Sequence, residues 1–158
     1  MFFVVTTVSS ANAETNPYGG IAVPPPGANE VIFTVVNGSK NSSYSMKQLK
    51  ALSSRTITIN EPFVKKVQTF TVIPLSVFTK ENNIRAKSTI RTIALNDYVY
   101  ANKVRRFLKA DAMIAIARDG KPIPYDQGGP IRIVFANSSV WAKNLDAWNW
   151  SLRSIAVK

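Results

Sequence analysis

Short β-strands interleaved with a few short helices are what this sequence predicts, and three observations carry the prediction. Apolar and polar residues alternate with period two over residues 55–63, with Ile57 and Ile59 on one side and Thr56 and Thr58 on the other. Tight-turn pairs, Asn37-Gly38 and Asp119-Gly120, stand where strands should reverse, because glycine accepts the positive φ that such turns require. Ser45, with Gln48 three residues later, has the spacing of a capping box, and Met46, Leu49 and Leu52 follow at helical intervals.

In chain order, residues 1–8 are apolar and are followed by Ala11-Asn12-Ala13, an A-x-A pattern that resembles the end of a secretory signal peptide cut before Glu14. An ordinary first strand is the plainer alternative. Export predicts a periplasmic or secreted protein. Residues 14–29 carry four of the nine prolines and three of the seven glycines, which predicts an extended surface segment with no core of its own. Residues 30–158 then read as a single domain.

A β-branched run at 31–36 is the first predicted strand, and the short helix from Ser45 ends by Ser53-Ser54. After the strand at 55–63, which Pro62 stops, Val64-Lys65-Lys66-Val67 reads as a solvated hairpin end and 67–72 as the returning strand. Pro74-Leu75 opens a short helix with Val77 and Phe78, and 90–95 is a further strand leading into Asn96-Asp97-Tyr98. Lys103, Arg105, Arg106 and Lys109 form the densest basic cluster, with Val104, Phe107 and Leu108 on one helical face between them. That pattern suits an amphipathic surface helix, or one that docks on an anionic partner. Trp141, Leu145 and Trp148 recur at i, i+4 and i+7, a helical stripe expected in the core, and Trp150 begins the last strand.

Residues 118–135 are the stretch the rest is arranged around. The apolar run at 112–117 before it is too short to settle helix or strand. Pro122 and Pro124 hold the chain extended, and Gly128-Gly129-Pro130 makes a sharp bend with a backbone bare enough for a ligand or partner. Ile131, Ile133 and Phe135 alternate with Arg132 and Val134, so Arg132 is the one charge in an apolar strand. A solvated outer face is its plain reading, since arginine is rarely buried unless paired. The functional reading is an anion-binding arginine beside a glycine bend.

Composition narrows the chemistry. Twenty Lys and Arg against nine Asp and Glu give a net charge of +11, which favours anionic partners without saying which. With no Cys and no His, the chain has no disulfide, thiolate nucleophile, ordinary zinc site or imidazole base.

Four segments, in order, carry a resemblance. Residues 119–124 and 128–134 match a DG-x-P-[LI]-P turn followed by G-x-P-[LI]-R-[LI]-V; Ala94-Leu95-Asn96-Asp97-Tyr98 matches an ALNDY segment; Trp150 to Ile155 matches a closing W-x-L-x-x-I strand. Phe70 to Leu75 is similar to an F-x-G-V-P-L element, with Val72 where glycine is usual. Together these resemble the oxidoreductase molybdopterin-binding domain of the sulfite oxidase family, in its short, stand-alone members, over roughly residues 30 to 158. The resemblance implies an α+β fold of mixed β-sheets with a few short helices, which composition and periodicity do not supply.

It also implies a site. In catalytic relatives a cysteine thiolate ligates molybdenum and basic residues hold the pterin phosphate; counting back from Pro74-Leu75, that cysteine falls at Asn60. An amide is a poor substitute for a soft anionic sulfur. The ligand-binding candidates are therefore Asn60 and Glu61, Asn96, Asp97 and Tyr98, and Arg118 with Arg132. Asn96-Asp97-Tyr98 reads plainly as a turn; otherwise Asp97 could serve as a base and Tyr98 as a donor. No cofactor is expected, although molybdopterin follows from the resemblance. The function expected is an exported, non-catalytic binding or sensory accessory protein for a small anionic ligand or a membrane signalling partner. The alternatives are a molybdopterin-dependent oxidoreductase without a protein thiolate, and a basic nucleic-acid-binding domain, against which export argues.

Overall fold

A computed structural model describes residues 23–52 and 54–158; the signal-peptide expectation for residues 1–13 lies outside the described residues. Residues 23–29 form no helix or strand, and Lys47 N–H donates to Ala28 O at 3.0 Å, which ties this stretch to the first helix.

Among the described residues, nine strands and three short α-helices follow. Strand β1 (Val31–Asn37) turns at Gly38, with φ of +60°, into β2 (Lys40–Ser45). Helix α1 (Met46–Lys50) has the capping box in both directions, Gln48 N to Ser45 Oγ at 3.3 Å and Ser45 N to Gln48 Oε1 at 2.8 Å. Strands β3 (Arg55–Glu61) and β4 (Lys66–Pro74) form the predicted hairpin, and α2 (Leu75–Glu81) starts directly after Pro74. Strand β5 (Thr89–Ala94), β6 (Val99–Lys103), α3 (Val104–Lys109), β7 (Met113–Arg118), β8 (Arg132–Val134) and β9 (Leu152–Val157) complete the order.

The strands form two sheets. One has the order β2-β1-β9-β5-β6, with β1 and β9 parallel and its other pairs antiparallel; the other is antiparallel, β3-β4-β7-β8. The α+β expectation of mixed sheets with a few short helices is what forms. Apolar side chains of both sheets and all three helices meet in one core, including Phe33, Leu49, Phe70, Phe78, Phe107 and Ile155. Helices of five to seven residues are too short to hold themselves in water, so packing holds them. Phe78 of α2 makes edge-on contacts with Phe33 at 5.3 Å and Tyr44 at 5.4 Å, each worth about 0.5–1.5 kcal/mol beyond burial.

One open reading closes, two strands appear that the sequence did not announce, and two expectations change. The apolar run at 112–117 is a strand, β7, pinned between β4 and β8. Strands β2 and β6 carry no apolar alternation of their own, because each is an edge strand of the five-stranded sheet. Trp141, Leu145 and Trp148 do not lie on a helix: the only helical turn there is 3-10, at Leu145–Ala147, and Leu145 is exposed. The two tryptophans are fixed instead by edge-on ring contacts, Trp141 against Phe107 at 5.1 Å and Trp148 against Phe135 at 5.5 Å. Leu108 is also exposed, since the single turn of α3 buries only Val104 and Phe107.

The bend at Gly128-Gly129-Pro130 is built on missing side chains. A Cβ on Gly129 would lie 1.9 Å from Ile123 O, a backbone atom that cannot yield cheaply. Gly129→Ala is expected to lose roughly 2–4 kcal/mol of stability by overpacking. Gly38→Ala meets open space and bears only the left-handed backbone cost, about 1–2 kcal/mol. Urea unfolding midpoints of the two variants check the order.

Candidate functional site

The site begins where β3 ends. Alternation along the strand turns Ile59 and Glu61 inward and leaves Asn60 exposed. Glu61 is completely buried, and both its oxygens are engaged. Oε1 accepts from Arg132 Nη2 at 2.7 Å, and Oε2 accepts the Phe63 and Val64 N–H groups at 2.9 and 2.8 Å. One carboxylate therefore holds β8 and the turn of the β3–β4 hairpin together.

Arg132 is the largest fully buried side chain among the described residues, so the solvated-face reading does not hold. Both sides of β8 are covered, and all five residues from Ile131 to Phe135 are buried, which is why alternation misleads here. The Arg132 guanidinium carbon sits 4.2 Å from the Trp150 ring centroid, a cation–π contact. Gly128, with φ of +82°, makes room for both: a Cβ there would stand 3.0 Å from Trp150 and 3.2 Å from Arg132 Nη1. Phe63 then packs edge-on to Trp150 at 4.6 Å and reaches Trp148 at 6.5 Å.

These rings form one wall of an open cleft of about 270 Å³, lined also by Ala94, Asn96, Tyr98, Leu145, Asp146 and Asn149. The opposite wall is the β5–β6 turn. Asn96 Oδ1 accepts Tyr98 N–H at 3.2 Å, an Asx turn, and Tyr98 Oη donates to Asp146 O at 3.0 Å. Burial first, and then the nearby Asp146 carboxylate, push the Tyr98 phenol above its usual value, so it remains a neutral donor. Asn149 is fully buried between strands, its Nδ2 donating to Thr92 O at 2.9 Å and Thr92 Oγ1 at 3.1 Å.

Of the seven candidates, the cleft takes Asn96 and Tyr98, while Glu61 and Arg132 lock its aromatic wall from behind. Three lie elsewhere. Asn60 donates its N–H to Asn137 Oδ1 at 2.9 Å. Asp97, with φ of +64°, points to Arg153 at 2.8 Å. Arg118 donates to Gln127 in the loop after β7. Phe63, Asp146, Trp148 and Trp150 were not among the candidates. A usable signal was the polar-aromatic run Asp146-Ala147-Trp148-Asn149-Trp150, which suits a lined cleft better than a helical stripe.

The oxidoreductase molybdopterin binding domain model matches residues 23–151. The chain belongs to this molybdopterin-binding oxidoreductase family. Among solved structures it is similar to the sulfane dehydrogenase SoxCD from Paracoccus pantotrophus, with a TM-score of 0.65 and 12% identity over 86% of this chain. That similarity is one of fold, and the chain spans 40% of the length of that relative. No curated protein matches the chain by sequence.

The sulfur ligand that the resemblance implies for the family's cofactor is missing, and the aromatic cleft offers no cation in its place. No cysteine exists in the chain to supply a thiolate, and the position that the resemblance gives it is an exposed asparagine. Among the described residues, the cleft lining contains a carboxylate, Asp146, and no cation to receive a pterin phosphate. Nor do the described residues contain a group of three or more His, Cys, Asp or Glu side chains that could hold a metal.

Breaking the buried pair from one side should cost far more than removing it. Glu61→Leu or Arg132→Met alone is expected to destabilise by about 3–5 kcal/mol, because each leaves a charge buried without its partner. The double variant should recover a large part of that loss. Denaturant titration read by tryptophan emission checks both statements, since Trp150 stacks on Arg132.

Proposed function

We propose that this chain is a non-catalytic, ligand-binding member of its family, in which the aromatic cleft holds a small ring-bearing molecule that is neutral or cationic. The observation that carries this is the lining: Phe63, Tyr98, Trp148 and Trp150 around one acid, Asp146. Aromatic faces and a carboxylate attract a cation, and the polar edge offered by Asn96 orients it. The volume of about 270 Å³ suits one or two rings. The anionic ligand expected from the net charge has no counter-charge in this cleft, because Arg132 is neutralised by Glu61.

Export, and a sensory or accessory role beside a membrane signalling protein, belong to the same reading. They rest on the A-x-A pattern at Ala11 and Ala13 and on the resemblance to short, stand-alone members, which suggests a membrane signalling partner. No helix among the described residues is long and apolar enough to cross a membrane.

Two measurements test this. Benzylammonium should quench the emission of Trp148 and Trp150 while benzoate does not, and Trp150→Ala should abolish the response. Equal quenching by benzoate would remove the charge argument. Metal analysis of protein from a host that makes molybdopterin should find molybdenum far below stoichiometric; a full equivalent would favour an oxidoreductase without a protein thiolate.

A further inference from the structure

We propose that the end of the molecule carrying α3 docks onto a bilayer surface bearing anionic phospholipid headgroups, independently of the cleft. Arg105, Arg106 and Lys109 are exposed on α3, and Lys103 immediately precedes it. The loop carrying Arg85 and Lys87 is tied to the first turn of that helix, Arg105 N–H donating to Ala86 O and Val104 N–H to Ser88 O, both at 2.9 Å. Six cations therefore share one end of the molecule.

The acids that could neutralise them are engaged with other residues. Asp111, just past α3, pairs with Arg55; Asp97 pairs with Arg153; Glu81 accepts from Tyr44 Oη at 3.0 Å. Among the described residues none of the six cations makes an ion pair. A concentration of charge left in this state is self-repelling and gains by meeting a surface of opposite sign.

Two aliphatic side chains decide which surface. Leu108, 38% exposed, lies between Arg106 and Lys109, and Val140 is 67% exposed. Ser139 Oγ donates to Ala110 O at 2.6 Å, which brings Val140 to the same end as the close of α3. Aliphatic tips among cations gain from the headgroup and acyl boundary of a bilayer and nothing from a phosphodiester backbone. Single-stranded nucleic acid requires exposed rings for stacking. Here the nearby rings interlock instead, Phe107 with Tyr100 at 5.8 Å and with Trp141 at 5.1 Å, and Phe107 is fully buried.

Co-sedimentation tests the proposal, using phosphatidylcholine vesicles with about a third phosphatidylglycerol and, as baseline, pure phosphatidylcholine. The chain should bind the anionic vesicles well above baseline in about 0.1 M salt and release at about 0.5 M. Arg105→Gln, Arg106→Gln and Lys109→Gln together should weaken binding roughly a hundredfold, from about 1 kcal/mol per cation removed. Lys47→Gln, Lys50→Gln and Lys66→Gln together remove the same charge elsewhere and should weaken it far less. Leu108→Ser alone, at unchanged charge, should weaken it severalfold. Equal losses from the two triple variants would reduce the effect to net charge and overturn the proposal. So would indifference to phosphatidylglycerol, or an oligonucleotide that binds more tightly than the vesicles in the same salt and is lost in the α3 variant. Each substituted side chain is exposed, and the single variants Arg105→Gln and Lys109→Gln supply graded losses should the triple variant fold poorly.

Discussion

The buried ion pair between Glu61 and Arg132 is the constraint on which the rest of the site depends. Taking both charges from water is costly, and the pair survives only because further contacts complete it. Glu61 also accepts two backbone N–H groups from the hairpin turn, and the guanidinium lies against the Trp150 ring beside a glycine with no side chain. A slip of the β3–β4 hairpin by one residue would turn Glu61 outward and leave Arg132 buried alone, and a slip of β8 would carry Arg132 to the strand's other covered face, away from Glu61. The pair thus fixes register between distant parts of the chain, and with it the placing of Phe63 and Trp150.

That arrangement separates the protein's charge from its cleft. An arginine within the core could have served an anion, but its carboxylate partner already neutralises it. The net charge of +11 is expressed on the exposed surface, and most densely around α3. Cleft and basic end present different chemistry, rings with a carboxylate at one and cations with aliphatic tips at the other.

Membership of the molybdopterin-binding oxidoreductase family supplies the scaffold, and the chain has no cysteine to place a sulfur beside a metal. The scaffold is maintained by its turns and core. Gly128 and Gly129 remain because backbone and side-chain neighbours occupy the space a Cβ would need. Polar and aromatic groups line the cleft without a thiolate or a phosphate-binding cation.

The sequence by itself determined the local elements that rest on neighbours in the chain: the capping box at Ser45, the turns at Gly38 and Gly120, and the β3–β4 hairpin. These follow from backbone conformation and short-range hydrogen bonds, which a few adjacent residues specify. Its ordered motifs also carried the α+β family. Only the tertiary structure decided which strands are edges, that Arg132 is inside, and that Trp148 walls a cleft beside Trp150 instead of lying on a helical stripe with Trp141 and Leu145. Alternation reports which residues can face water, whereas burial depends on what packs against each side. The partner of Arg132 lies 71 positions away in the chain, so no local pattern could have announced it. The same reason separates the seven candidates: Asn96 and Tyr98 meet the aromatic wall because β5 pairs with β9, while Asn60 and Asp97 are turned away by strand alternation and by a left-handed turn.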